Sequence, residues 1–438
     1  MNAPVNVAPI RWHKQLFHFP QLPMRQPLLL GVLAASNIGI AFLYQWYVFI
    51  QLGPGMETDA LFAGMTLPQL ALAVVGGSLM HVLVPMLAGE PADRFRHDAW
   101  GFFVLVGALF AAIAVLLHLF APYWVPLTVP GFSEAGKELT VHLTRIQLIG
   151  MVFTALSGVQ AAAYHARQKF AWVELAPLIA GGLGLVPLVM LLPHYGVEAV
   201  AWIATLRFAF QTLLQMPGMG RWTLPDLKSR TVQDAWKRIK PLLWGTAYYK
   251  ADPLVDRFLL SLSGHGNLSL FYLAQQIYGA GSGVLSKAIA FPLVPRLSLL
   301  HKAGDNPAFR RAYRRKLWHV GLITVSLFLI VVVSGNSLLR LLVGHGAVAD
   351  ANVRTLWVIM LGLGGMFVGG AMGSVTASSF YARGDTRLPT RLGMITYTIY
   401  IPIKIAAFGL GGLLGLAISA SAFHLVNLGL QYFYLEKY

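Results

Sequence analysis

The 438-residue sequence contains no cysteine, which excludes thiol catalysis, disulfide cross-links and cysteine-ligated metal centres. Charge is scarce too. Asp, Glu, Lys and Arg make up 11% of the chain, acids number only 17 against 33 Lys and Arg, and 56% of residues are hydrophobic. Two sequence motifs are also missing. There is no H-E-x-x-H, and the histidines, His81, His165 and His301 among them, show no metal-ligand spacing. There is no G-x-x-x-x-G-K-[ST] phosphate loop, so ATP does not drive this chain directly. The alternating ten-residue segments of a membrane β-barrel are not found.

What the sequence does have is a series of apolar runs long enough to span a hydrocarbon core. They predict an all-α polytopic membrane protein with about twelve spans, at roughly 28–50, 60–88, 100–121, 139–163, 172–192, 197–216, 241–263, 267–295, 317–338, 354–380, 392–411 and 413–434. The formal net charge of +16 would raise the question of nucleic acid in a soluble protein. Here the basic residues sit in alternate loops, so a nucleic-acid partner is not expected. One set of loops holds Arg94, Arg96, Arg167, Lys169, Arg296, Lys302, Arg310, Arg383 and Arg387, and the other only Lys137, Arg340 and Arg354. By the positive-inside rule the first set, and both termini, face the cytoplasm. Residues 1–27 read as a retained cytoplasmic tail, with no small-residue cleavage signal beside the first apolar run.

The basic segment 217–240 divides the chain into an N-lobe (28–216) and a C-lobe (241–438) of six spans each. Leu83-Val84-Pro85-Met86-Leu87 is matched by Leu293-Val294-Pro295-Arg296-Leu297 at an offset of 210. Tyr164-His165-Ala166-Arg167 is matched by Phe380-Tyr381-Ala382-Arg383 at an offset of 216. Six spans per half preserve orientation, so this is a parallel repeat about an axis along the membrane normal, the arrangement of an alternating-access carrier.

Span seven is the most charged of the spans, carrying Lys250, Asp252, Asp256 and Arg257 around Pro253. Each charge at bilayer depth costs about 2.5–3.5 kcal/mol, so these side chains must face protein or a water-filled cavity. Pro253 cannot donate to the carbonyl of Tyr249, which in a continuous helix leaves an acceptor free at mid-membrane. Further cations lie in span four (Arg145) and near the middle of span six (Arg207). Arg145, Arg207, Lys250 and Arg257 either receive an anionic substrate or lock helices together through Asp252, Asp256 or Glu174. Gln275 and Gln276 suit sugar hydroxyls, or interhelical hydrogen bonds. Asp59 sits at the outer end of span two, where it forms a gate with Arg145 or caps a helix. Asp252 and Asp256 are the candidates for gating or ion coupling. Lys287 and Lys404 are expected to snorkel to a membrane face.

Several segments bear a family resemblance. Thr58-Asp59-Ala60-Leu61-Phe62, Leu67-Pro68-Gln69-Leu70, Val84-Pro85-Met86-Leu87-Ala88, Val129-Pro130-Gly131-Phe132, Ser282-Gly283-Val284-Leu285 and Phe380-Tyr381-Ala382-Arg383 with Pro389 resemble, in order, the signatures of the MurJ/MviN lipid II flippases. The resemblance implies the multidrug/oligosaccharidyl-lipid/polysaccharide (MOP) exporter fold, a bacterial inner-membrane location, and transport of a polyprenyl-diphosphate-linked glycan. It implies no enzymatic activity and no cofactor beyond a coupling ion; glycan-assembly enzymes are the implied protein partners. The sequence also departs from the family. Where the lipid II flippases carry cavity arginines, this chain has Ile38 and Tyr44 in span one, Leu72 and Ala73 in span two, and Gln276 in span eight. It also stops after span twelve, where those flippases usually add two helices. Asp256-Arg257 resembles the acid-base pair of polysaccharide-repeat flippases in the same superfamily. The expectation is therefore a related lipid-linked saccharide rather than lipid II itself.

Two competing classes are a cation-coupled drug antiporter of the same fold, using Asp252 or Asp256, and a membrane glycosyltransferase. The antiporter calls for a net acidic cavity, whereas cations at least equal acids here. The glycosyltransferase calls for a sizeable outer domain, but the longest outer loop, about 122–138, is short. The orientation is testable without background labelling in a cysteine-free chain. A cysteine at Lys302 should react with an impermeant maleimide only after the cytoplasmic side is opened, and one at Lys137 in intact cells; the reverse pattern would invert the topology.

Overall fold

The structure, a computed structural model, describes residues 25–223, 234, 248 and 250–437. The N-terminal tail to residue 24, most of the basic segment 217–240 and nearly all of span seven before Lys250 lie outside the described residues. All regular structure among the described residues is helical: α1 (Arg25–Leu52), α2 (Met56–Gly64), α3 (Thr66–Leu87), α4 (Ala92–Thr128), α5 (Glu134–Ala166), α6 (Phe170–Gln215), α7 (Asp252–Ser261), α8 (Asn267–Leu285), α9 (Phe291–Lys302), α10 (Asn306–Val343), α11 (Asp350–Gly362), α12 (Gly364–Ala382) and α13 (Arg387–Lys437). A π-helical turn at Ser286–Ala290 joins α8 to α9.

Among the described residues, seven stretches are long and apolar enough to cross a membrane, and eight if the bent pair α11–α12 counts as one span. The sequence predicts more because α6 and α13 are each a hairpin of two spans. Gly196 (φ 58°, ψ −146°) and Gly412 (φ 54°, ψ −134°) interrupt them with backbone angles that glycine adopts without strain. The halves of α6 run side by side, since the Trp172 indole donates to the Leu214 carbonyl at 2.9 Å. In α13 the rings of Tyr400 and Phe423 stack at 4.5 Å.

The repeat is visible in the backbone as well as in the motifs. Left-handed conformations occur at Gln168 and Gly384, and at Gly196 and Gly412, each pair 216 positions apart. They recur at Gly89 and Gly304, 215 apart, and at Gly53 and Gly264, 211 apart. The chain therefore turns at corresponding places in both halves, at offsets that fall within the range of the sequence matches.

Pro253 does not interrupt a continuous helix, as the sequence suggested. It occupies the first turn of α7, where a missing N–H costs nothing because that donor has no helical partner.

The apolar core reports how the halves are joined. One cluster contains side chains of both halves, with Tyr44, Phe62, Val125 and Leu143 alongside Leu260, Tyr272, Leu356 and Leu416. Toward the end bearing the basic loops the core divides. One cluster there joins α3, α4 and α5 around Leu83, Phe102 and Val159, and another joins α9, α10 and α12 around Leu297, Tyr313 and Val375. The halves thus share a core at one end and keep separate cores at the other. Outward-facing Leu119, Leu329, Val333 and Leu410 are exposed, as lipid-facing residues are.

At the joined end the halves also meet backbone to backbone. Ala347 N donates to Ile50 O at 2.8 Å, and Gly131 N donates to Ser261 Oγ at 3.2 Å. A Cβ on Gly131 would lie 2.2 Å from the Ser261 carbonyl oxygen. Gly131→Ala is expected to destabilise the protein by about 1–3 kcal/mol through overpacking. Thermal unfolding in detergent measures this, and a wild-type transition would contradict the closeness of the two halves.

Candidate functional site

Between α1, α2–α3, α5 and α6 lies a cavity of about 180 Å³, walled by Val48, Phe62, Leu72, Met151 and other apolar groups, with Arg207 as its charged member. Arg207 is held by aromatic faces. Its guanidinium lies 5.3 Å from the Tyr44 ring centre and 4.8 Å from that of Phe208, both within cation–π range. The Tyr44 hydroxyl donates to Val200 O at 3.1 Å, fixing the ring beneath the cation. Gly184 leaves room for the arginine stem, whose Cδ would be 3.6 Å from a Cβ there. No carboxylate among the described residues lies within ion-pair distance of Arg207. An aromatic face lowers the cost of the buried charge without neutralising it, so the guanidinium remains free to bind an anion. A second opening, lined by Asn37, Glu174 and Gln211, meets the first at Arg207. In it Asn37 Nδ2 donates to Glu174 Oε2 at 3.0 Å.

In the other half the two acids of span seven share one lysine. Lys404, fully buried in α13, places Nζ 2.6 Å from Asp252 Oδ1 and 2.6 Å from Asp256 Oδ1. Gln275 donates to Asp256 Oδ2 at 3.3 Å. Lys404 therefore does not snorkel to a membrane face. The two carboxylates one turn apart on α7 meet it inside the protein instead. Gln275 likewise serves this network. Lys287 bridges the halves toward the basic end, 3.8 Å from Glu174 Oε1.

The remaining candidates lie where the halves meet. Lys250 Nζ donates to the backbone carbonyl of Ala73 in α3. Arg257 is 4% exposed, sits 4.9 Å from the Tyr272 ring centre, and has no hydrogen-bond partner for Nε or Nη1. Gln276 Nε2 donates to the Tyr272 hydroxyl at 2.6 Å.

Asp59 is 1% exposed and caps a helix of the opposite half, with Gly266 N at 2.6 Å and Ser269 N at 2.7 Å from its two oxygens. The proposed pairing of Asp59 with Arg145 does not occur. Arg145 turns instead toward α4, where Nε donates to His118 O at 3.4 Å, and it does not line the cavity. Sequence reasoning missed Lys404 as the centre of a network; the signal was two unpartnered acids at i and i+4 on span seven.

The positions that lack the family's arginines acquire a meaning here. Tyr44 of span one lies under Arg207, Ala73 of span two accepts from Lys250, and Gln276 of span eight bonds the tyrosine that carries Arg257. At each of these three places a cation arrives from span six or seven.

Fold and site together define an all-α, multi-pass membrane protein with a MOP-type fold. Two solved structures carry that fold. One is a lipid II flippase MurJ in an inward closed conformation, with TM-score 0.81, 17% identity, and coverage of 93% of this chain and 87% of that one. The other is an inward-facing MATE-family multidrug resistance transporter, with TM-score 0.76, 14% identity and coverage of 94% and 97%. The chain belongs to the MurJ family, whose model, described as lipid II flippase MurJ, matches residues 50–438. It is similar to the probable lipid II flippase MurJ of Vibrio cholerae, 23% identical over 412 residues covering 87% of this chain and 77% of that protein. The corresponding protein of Treponema pallidum is 22% identical over 436 residues, covering 94% and 82%.

Removing Lys404 should leave the buried Asp256 and the part-buried Asp252 carboxylates uncompensated. Lys404→Met is expected to cost about 3–5 kcal/mol of stability, and Lys404→Met with Asp252→Asn and Asp256→Asn to recover most of it. Thermal melts of both variants test this; a single variant as stable as wild type would contradict the network.

Proposed function

We propose that this protein translocates a polyprenyl-diphosphate-linked saccharide across the bacterial inner membrane by alternating access. The moving parts are the lobes 28–216 and 241–438, coupled through the basic segment 217–240, with both termini in the cytoplasm. The observation that carries the reading is Arg207, a cation at a cavity wall with aromatic faces against it and no carboxylate partner among the described residues. A diphosphate headgroup supplies the missing anion through charge-assisted hydrogen bonds. The apolar remainder of the wall suits a substrate that is part lipid.

Family membership favours the peptidoglycan precursor lipid II as the saccharide carried, since the curated relatives bear the name of lipid II flippases. The expectation of a different polysaccharide unit rested on the absent arginines. Cations supplied to the same places from spans six and seven weaken that argument. The drug-antiporter reading is less favoured, because both acids it would use, Asp252 and Asp256, are engaged by Lys404. A coupling ion remains part of the proposal only as a partner of that network, and glycan-assembly enzymes as suppliers of the substrate.

Since the core divides at the basic end, substrate enters from the cytoplasmic side. Lys250, bound to Ala73 O, and Lys287, paired with Glu174, then cross the entrance and yield to the headgroup.

In vesicles loaded with fluorescent lipid II, Arg207→Ala and Lys250→Ala should each abolish flipping while expression and melting stay near wild type. Wild-type rates in both would remove the cavity cations from the mechanism.

A further inference from the structure

The Asp59 contact differs from an ordinary helix cap in joining two halves that must separate. The N-terminus of the nineteen-residue helix α8 presents the amides of Gly266 and Ser269. Unpaired amides and the helix dipole at such an end favour an anion. The neighbouring donor is Arg257, buried, with Nε and Nη1 unsatisfied and within electrostatic reach of Asp59. Among buried arginines, two unpartnered guanidinium nitrogens are costly unless something occupies them in another state. Arg257 rests on Tyr272, which stacks on Phe62 at 4.4 Å, and Phe62 lines the Arg207 cavity. A single aromatic pair therefore separates the cavity from this donor set.

We propose that the α8 N-terminus and Arg257 form a second anion site, occupied here by the Asp59 carboxylate and taken over by the substrate's diphosphate as the lobes part. This rests on the flippase reading and deepens it. Asp59 belongs to one lobe and its donors to the other, so each of its two bonds holds the joined end shut. A phosphate offers the same donors an acceptor of equal or greater charge that is bound to neither lobe. Exchange of one anion for the other leaves the helix end satisfied while it releases α2 from α8. Arrival of the headgroup thereby opens the end opposite the one it entered. The other charged groups facing the site are Asp256, held by Lys404 and Gln275, and His265 in the loop before α8.

The cysteine-free chain permits a direct test. Gln51→Cys and Ala347→Cys place a disulfide pair across the joined end, beside the Ile50–Ala347 hydrogen bond. In purified protein, inorganic pyrophosphate should lower oxidative cross-linking of this pair several-fold. Arg257→Gln should remove that response. Asp59→Asn should lower cross-linking without pyrophosphate and bind pyrophosphate several-fold more tightly, because the internal competitor is gone. Cross-linking of the otherwise wild-type pair that ignores pyrophosphate, or falls equally with sulfate, would overturn the proposal. So would unchanged pyrophosphate affinity in a folded Asp59→Asn variant. Flipping of lipid II with no pyrophosphate response would sink this site alone, whereas a pyrophosphate response without flipping would sink the substrate assignment.

Discussion

A charge inside a membrane needs an answering group, and that requirement organises this protein more than any packing preference does. With hydrocarbon on the outside, each buried cation must meet a carboxylate, a carbonyl, an aromatic face or the substrate. Lys404 meets two carboxylates and is locked. Arg207 meets aromatic faces and is held without being neutralised. Lys250 meets one backbone carbonyl, and Arg257 an aromatic face, with Asp256 and Asp59 within electrostatic reach and Nε and Nη1 left without hydrogen-bond partners. The sequence of partners, from fully paired to nearly bare, separates the side chains that build the structure from those that remain available to an anionic ligand.

The same requirement explains why the halves close differently at their two ends. At one end the core is continuous and backbone meets backbone, with Asp59 fastening α2 to α8. At the other the cores are separate, and only Lys250 and Lys287 among the candidate cations reach across. Polar contacts to a carbonyl, or from a half-exposed lysine to a part-exposed carboxylate, are weak fastenings, worth about 1 kcal/mol or less each. The joined end is closed by apolar burial as well, and needs a specific trigger to open.

Much of the fold was legible in the sequence because it follows from hydrophobic length and from repetition. The all-helical spans and the offset of the repeat were read from apolar runs and short matching motifs, and the left-handed residues at 168 and 384, and at 196 and 412, repeat with the offset of the second motif pair. The hairpins inside α6 and α13 were legible as paired apolar runs although the helices appear continuous. The partners of charges were not legible. Lys404 lies 152 residues from Asp252, and Asp59 lies 207 from Gly266, separations over which no periodicity carries information. Arg145 and Arg207 were both candidate cavity cations, but their helices point them to different neighbours, a carbonyl of α4 in one case and the cavity in the other. The family's missing arginines carry less weight for a related reason. A motif records which helix bears a charge, whereas a cavity responds only to where the charge ends up.

That distinction gives the central claim its most direct measurement, the flipping rate of a protein in which the cavity cation is returned to span one. The account predicts that Tyr44→Arg with Arg207→Tyr moves lipid II in vesicles at a rate near wild type, whereas Arg207→Tyr alone does not. If the exchanged protein folds normally and is as inactive as the single variant, or if the single variant flips normally, a positive charge at this cavity wall is not what the substrate requires.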